Sequence, residues 1–180
     1  MSSVFPISFY QRHPEKVAPD LLGHYLVRSY RGKIIKGVIT ETEAYYDATD
    51  SASHARFGKT RRNRFMFERG GKAYIYLIYG MYHCFNVVTE KRNQPSAVLI
   101  RALKVKNTDY SLTNGPGKLT RYLRINMSLN GSDLTRKDKV WIEKNPHRPQ
   151  PVVETTPRIG VDYAGEAGKW LWRFVLKINP

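Results

Sequence analysis

The stretch ITETEAYYDATDSASHARFGKTRRNRFMF, Ile39 to Phe67, constrains this chain more than any other. It starts as an apolar β-run, and side chains on a strand alternate between faces. Ile39, Glu41, Glu43 and Tyr45 are therefore expected on one face, and Thr40, Thr42 and Ala44 on the other. Acid stands beside aromatic on the first face, and the strand runs directly into a basic loop. That loop supplies His54, Arg56, Lys59, Arg61, Arg62 and Arg64, each a candidate for contact with an anion. A neighbour strand is at hand, because HYLVRSY precedes KIIKGVITETEAYY across Arg31 and Gly32, a hairpin turn.

Around this hairpin the remaining elements read as one sheet with small additions. Pro14 to Leu22 is a short helical region, open to interruption at Pro19 and stopped by Gly23. Asp47 to Lys59 has no clean periodicity and reads as a long ordered loop, a class that is often functional. Gly70 to Val88 is a second hairpin with Tyr79, Met81 and Tyr82 at its tip, and Tyr74 is expected in the core. Closure symmetrical about Met81 sets Asn86 opposite Tyr76. Pro95 to Lys104 is a further strand, and Asn114 to Asn126 a Gly-Pro-Gly loop opening a helix with Leu119 and Leu123 inward. Leu112 and Leu119 stand where a Walker A loop needs Gly and Ser or Thr, so that motif is excluded. SLNGSDLTRKDK reads as a turn-rich connection, KVWIEK as a strand, NPHRPQPVVETTPRIGV as a proline-punctuated loop leading into sheet, and KWLWRFVLKIN as a closing strand. The expected fold is α+β: a single compact domain, mainly an antiparallel β-sheet core with surrounding short helices and a protruding β-hairpin.

The net charge of +15 identifies the class of partner, since a lysine and arginine excess of that size fits a polyanion, with nucleic acid ahead of a membrane surface. There is no apolar run near 18 residues to span a bilayer. Cys84 is the only cysteine, which excludes an intramolecular disulfide and a Cys-rich metal site and fits a reducing compartment. MSSVFPISFYQRHPEK lacks the pattern of a signal peptide and reads as a mature start.

Each candidate has a plainer alternative. Glu41 and Glu43 are either a tuned general base with its neighbour or solvated edge residues paired with arginines; Tyr45 and Tyr46 favour the former by making the site partly apolar. Arg101 interrupts an apolar strand, so it needs a carboxylate such as Glu43 or Glu41, or an edge from which to reach solvent. Tyr79 is either a wedge of the kind pushed between base steps or ordinary packing, and Lys118 either holds a phosphate at the loop-helix junction or merely borders it. As a whole, the chain can be an enzyme, a non-catalytic nucleic-acid-binding module, or a metal-dependent hydrolase using Glu41, Glu43 and His54.

Taken together and in order, the Ile39–Phe67 block, AYIYLIYGMYHCFNVV, AVLIRAL, NGPGKL and PRIGV resemble the alkyladenine (3-methyladenine) DNA glycosylases over most of the chain. The resemblance implies one glycosylase domain across residues 1–180, acting in base excision repair on double-stranded DNA that contains damaged purines. By it, Glu43 activates water, with Arg101 and the main-chain carbonyl of Ile159 positioning it. Tyr45, His54 and Tyr76 sandwich the extruded base, and Asn86 crowds the guanine amino group. Tyr79, with Met81 and Tyr82, fills the gap left in the duplex, and Arg62, Arg64 and Lys118 meet phosphates. No Schiff-base lysine is evident, so a monofunctional enzyme is expected, and the resemblance implies a monomer inside the cell, in the cytoplasm or nucleoid if bacterial or the nucleus if eukaryotic, with no cofactor and no metal. Arg61, where the family pattern carries proline, and a short linker between Leu103 and Asn114 depart from it.

Overall fold

The computed structural model describes residues 3–148 and 150–177. Two helices, α1 (Ile7–Tyr10) and α2 (Pro14–Leu21), lead into the first hairpin of β1 (Tyr25–Tyr30) and β2 (Lys33–Tyr46). Arg31 and Gly32 both take positive φ, 49° and 74°, as a two-residue turn matched to strand twist requires. β3 (Ala73–Ile78), β4 (Tyr82–Val88) and β5 (Ser96–Lys104) follow, then α3 (Pro116–Tyr122), β6 (Val140–Glu143), β7 (Val152–Thr156) and β8 (Arg173–Lys177). The sheet runs β3-β4-β5-β2-β1-β6, with β8 joined to β2 and β7 to β8, and every pairing is antiparallel. Short helices surround this sheet and the β3–β4 hairpin projects from it, the α+β architecture expected.

β2 is the central element because both of its edges are occupied along most of its length. β5 covers one edge from Val38 to Tyr46. On the other edge β1 pairs with Lys33 to Val38, and β8 takes over at Glu41 to Glu43. The β2–β5 register slips by one residue at Glu41 and slips back at Thr42, which leaves Thr40 and Arg101 without cross-strand partners. Bulges of this kind re-aim side chains beside active sites. Here the slip corrects the expected alternation: Ile39 shares the main core with Ala44, while Thr42 bonds the Ala18 carbonyl of α2. Ile39 therefore faces away from Glu43. The same slip turns Arg101 out of the apolar core that its strand neighbours Ile100 and Leu103 enter.

Three further expectations are corrected. The second hairpin closes about Gly80, not Met81, with Ile78 opposite Tyr82, so Asn86 lies across from Tyr74 and Cys84 from Tyr76. Within the proline-punctuated stretch, Val152–Thr156 forms β7, since the prolines fall outside the run that pairs with β8. The closing strand begins at Arg173 because Lys169 ends a 3-10 segment; Ile178 and Asn179 lie outside the described residues. Pro19 does not interrupt α2, and Gly23 takes positive φ just beyond it.

Candidate active site

Glu43 is fully buried, yet each of its oxygens is occupied. The Ile159 amide donates to Oε1 at 2.8 Å. On Oε2 the Tyr45 hydroxyl donates at 2.8 Å and Arg101 Nη1 at 3.3 Å. A buried carboxylate persists only when paired and hydrogen-bonded, and these three donors meet that demand. The cation reaches further, because Arg101 Nε donates to Glu41 Oε1 at 2.9 Å, an oxygen that also accepts from Arg173 Nε at 2.6 Å. Both carboxylates expected for Arg101 are thus its partners. Burial pushes the Arg101 guanidinium down, but Glu43 and Glu41 more than offset it, and its pKa lies above the usual value.

Tyr45, Arg101 and Ile159 also line a cavity of about 320 Å³, behind whose wall Glu43 sits. His54, Tyr74, Tyr76 and Asn86 line it too. Alternation along β3 turns Tyr74 and Tyr76 to the same side, where their ring centroids are 5.5 Å apart. His54 opens a 3-10 turn (His54–Phe57) capped by the Ser53 hydroxyl, and its ring meets Tyr76 edge-on at 4.6 Å. The loop behind it is fastened by buried Asn63, whose Nδ2 donates to the carbonyls of His54 and Gly58 at 2.9 and 2.8 Å. His54 Nδ1 shares a 2.9 Å hydrogen bond with the Tyr74 hydroxyl. Burial, reinforced by Arg62 and Arg56, lowers the imidazole to about 4, so it is neutral at physiological pH. Burial and the Glu43 charge raise Tyr45 well above the usual phenol range, and burial and Cys84 do the same for Tyr76, so both remain protonated donors.

Tyr74 is buried, as expected of a core residue, but it is also a cavity wall and the partner of His54. The Asn86 amide donates to the Tyr74 carbonyl at 3.1 Å, an anchor the corrected register provides. At the hairpin tip Tyr79 is 84% exposed and Met81 64% exposed; Tyr79 reaches the cavity rim, whereas Met81 and Tyr82 do not line it. Tyr79 and Gly80 both take positive φ, 51° and 70°. The hairpin is braced just below its tip by α3. Gly117 lies so close to the Tyr82 ring that an added Cβ would stand 3.0 Å from it, and the Thr120 hydroxyl donates to the His83 carbonyl at 2.8 Å.

The three expected phosphate contacts do not form one cluster. Arg62 is at the cavity rim, donating to the Leu77 carbonyl at 2.9 Å with its guanidinium over Tyr76. Arg64 stacks on Phe65, and Lys118 lies on α3 with Nζ 2.9 Å from Asn114 Oδ1, beside Arg121 and Arg124. All three are exposed, and none forms an ion pair with a carboxylate among the described residues.

Sequence reasoning does not reach two features behind the site. One is Arg173, which becomes a neighbour of Glu41 only through the β2–β8 pairing. The other is the wholly buried pair of Asp50 and Arg158, in which Nη1 and Nη2 meet the carboxylate at 2.5 and 2.8 Å. Arg158 also donates to the Ala44 and Ala167 carbonyls and lies against the rings of Tyr45, Trp170 and Trp172. It thereby ties the end of β2 to the segment carrying Ile159. Arg158 stands within PRIGV and Asp50 within the Ile39–Phe67 block, but neither segment points to the other.

An aromatic cleft with a buried carboxylate behind it, set in so basic a chain, has the form of a DNA glycosylase site. Comparison with known proteins agrees. A family model described as methylpurine-DNA glycosylase (MPG) matches residues 8–180. Among curated relatives, a protein of Methanocella arvoryzae is 44% identical, covering 98% of this chain and 94% of its own. One from Legionella pneumophila strain Corby is 46% identical, covering 97% of this chain and 95% of its own. One from Clostridium tetani is 42% identical, with 96% and 95% covered. Each bears the name "putative 3-methyladenine DNA glycosylase". The chain belongs to the methylpurine-DNA glycosylase family, DNA-repair hydrolases that cleave N-glycosyl bonds. Among the described residues, no helix is long and apolar enough to cross a membrane.

Proposed function

We propose that this protein is a monofunctional, intracellular glycosylase of base excision repair that rotates alkylated or deaminated purines, of the 3-methyladenine type, out of duplex DNA and hydrolyses their N-glycosidic bond with a water activated by Glu43. The observation that carries it is the buried Glu43 carboxylate, held by three groups that all line one aromatic cavity. A paired base hides its glycosidic bond, so rotation costs roughly a few kcal/mol, least at damaged pairs. Tyr79 fills the vacated stack from the hairpin tip. Tyr45, His54 and Tyr76 receive the base, and each stacked base gains about 1–3 kcal/mol. A purine made cationic by alkylation gains a further cation–π attraction, and neutral His54 adds no repulsion. Asn86, whose amide donates to the Tyr74 carbonyl, crowds an exocyclic amino group on this reading.

Hydrolysis then needs a proton acceptor for water and a negative charge for the developing sugar cation, as in inverting glycosidases. Glu43 supplies both, once the Oε2 side, where Tyr45 and Arg101 sit, admits a water beside the bound base. Arg101 and the Ile159 backbone, through its amide to Glu43 and its carbonyl to the water, hold the reacting groups in place. Arg62, Arg64 and Lys118 meet phosphates as a track and not a cluster. The protein works as a monomer, and no step calls for a metal or cofactor. A metal-dependent reading finds little support in the ligand set, since among the described residues no three of His, Cys, Asp and Glu gather to hold an ion.

The test is Glu43→Gln, which keeps the size but loses the charge, the proton acceptor and one of the two accepting oxygens. Single-turnover base release should fall by about 10²–10⁴, with lesion binding retained and the circular dichroism spectrum unchanged. Near wild-type release would sink the assignment of Glu43.

A further inference from the structure

Arg101 places a cation on the wall of a cavity that, on the reading just given, receives a positively charged purine. Left uncompensated, that guanidinium would repel such a base. Glu43 meets it from one side, and Glu41 Oε1 accepts its Nε at 2.9 Å from the other. Glu41 does not line the cavity, so it has no direct contact with anything bound there. Its Oε1 is shared with Arg173, which holds a further contact to the Thr156 hydroxyl at 3.0 Å. Glu43, Arg101, Glu41 and Arg173 thus form a row of alternating sign with zero net charge. His54 is neutral, and Arg62 at the rim is exposed to screening water. Arg62 and Arg56 still act on His54, and Asp50 offsets the Arg158 guanidinium behind Tyr45, so this row is the buried charge on the Arg101 side of the wall.

We propose that Glu41 is a specificity-determining residue: from outside the cavity it cancels the charge of Arg101 and so sets the preference for cationic over neutral purine lesions. The inference rests on the cavity being the one that takes the damaged base. Charges away from bulk water act beyond direct contact, because the effective dielectric near such sites is far below that of the solvent. The charge itself is what matters, since a glutamine at this position would keep an acceptor for both Nε groups.

Glu41→Gln and Arg173→Gln test this as an opposed pair. The readout is lesion-specific binding, the ratio of Kd for undamaged duplex to Kd for the same duplex with one lesion. The lesions are 7-methylguanine, cationic, and hypoxanthine, neutral, each on a 2′-fluorinated sugar that resists release, so Glu43 stays intact in the protein. Glu41→Gln should lower the 7-methylguanine ratio about tenfold, the effect of roughly one pKa unit of interaction, and leave the hypoxanthine ratio nearly unchanged. Arg173→Gln, which removes the opposite charge, should raise the 7-methylguanine ratio. Equal losses on both lesions, or a shift of the same sign in both variants, would overturn the proposal, because a packing defect cannot report the sign of a charge. Should Glu41→Gln fail to fold by circular dichroism, the direction of the Arg173→Gln shift decides alone. Failure of the Glu43 assignment is seen separately, as base release by Glu43→Gln, and leaves these binding ratios to be read.

Discussion

The Ile159 amide and the Glu43 carboxylate, 116 residues apart in sequence, are joined by a 2.8 Å hydrogen bond. Glu43 sits on the central strand and Ile159 in the segment that Arg158 anchors to Asp50 and Ala44, so the orientation of the proposed base is set by tertiary structure. That arrangement can be disturbed from behind without touching the cavity.

Asp50→Asn should do so. It leaves the buried Arg158 charge without its partner, and breaking one side of a buried pair costs about 3–5 kcal/mol. Urea unfolding should show a midpoint lowered to match. A change below about 1 kcal/mol, the scale of exposed pairs, would mean that Asp50 is not the principal partner of Arg158.

Tyr79→Ala should separate opening the duplex from chemistry. The side chain is exposed at the hairpin tip. Excision from fully paired duplex should drop by about fivefold to a hundredfold, the roughly 1–3 kcal/mol of a lost stacking contact, and excision from a single-stranded lesion should change little. Equal losses on both substrates would remove Tyr79 from the wedge role.

Binding to duplex should weaken steeply with salt, each neutralised phosphate adding about −0.9 to the log–log slope. Arg62→Ala and Lys118→Ala should each make the slope shallower by about that amount. A variant that lowers affinity with an unchanged slope does not remove a phosphate contact.

Protonation of His54 supplies a pH prediction. Its folded pKa of about 4 lies below the value of 6.5 that it regains on unfolding. Between those values the unfolded chain binds the proton and the folded chain does not, so the stability contributed is complete above about pH 6.5 and is lost as pH falls towards 4. His24, lowered to about 4 by burial and by Arg148, acts in the same direction. Unfolding free energies of wild type and His54→Gln, followed from pH 7 to 4.5, should therefore converge as the pH drops. Parallel curves would place the His54 pKa near its ordinary value.

Local pattern carried much of this structure and long-range pairing carried the rest. The hairpins are readable because turn residues and alternation are local, and Arg101 declares its need for a carboxylate by standing in an apolar strand. The face of Ile39 is unreadable because the bulge that turns it depends on how β5 aligns with β2. The Asn86 register shifts with the centre of a three-residue turn, which composition leaves open. Tyr74 looks like core and is core, but its hydroxyl acquires a role only when the loop brings His54 to it. Arg158 and Asp50 are 108 residues apart, and nothing near either announces the other.

The handover of one β2 edge from β1 to β8 has a consequence for the chain while it is being made. Arg173 follows Glu41 by 132 residues, so at translation rates of about 5–20 residues per second that stretch of edge stays open for on the order of ten seconds. Open β edges recruit other chains, and charged side chains on them discourage it. Glu41 and Glu43 occupy the stretch that waits for β8. Their charge is of the kind that discourages such pairing while β8 is absent.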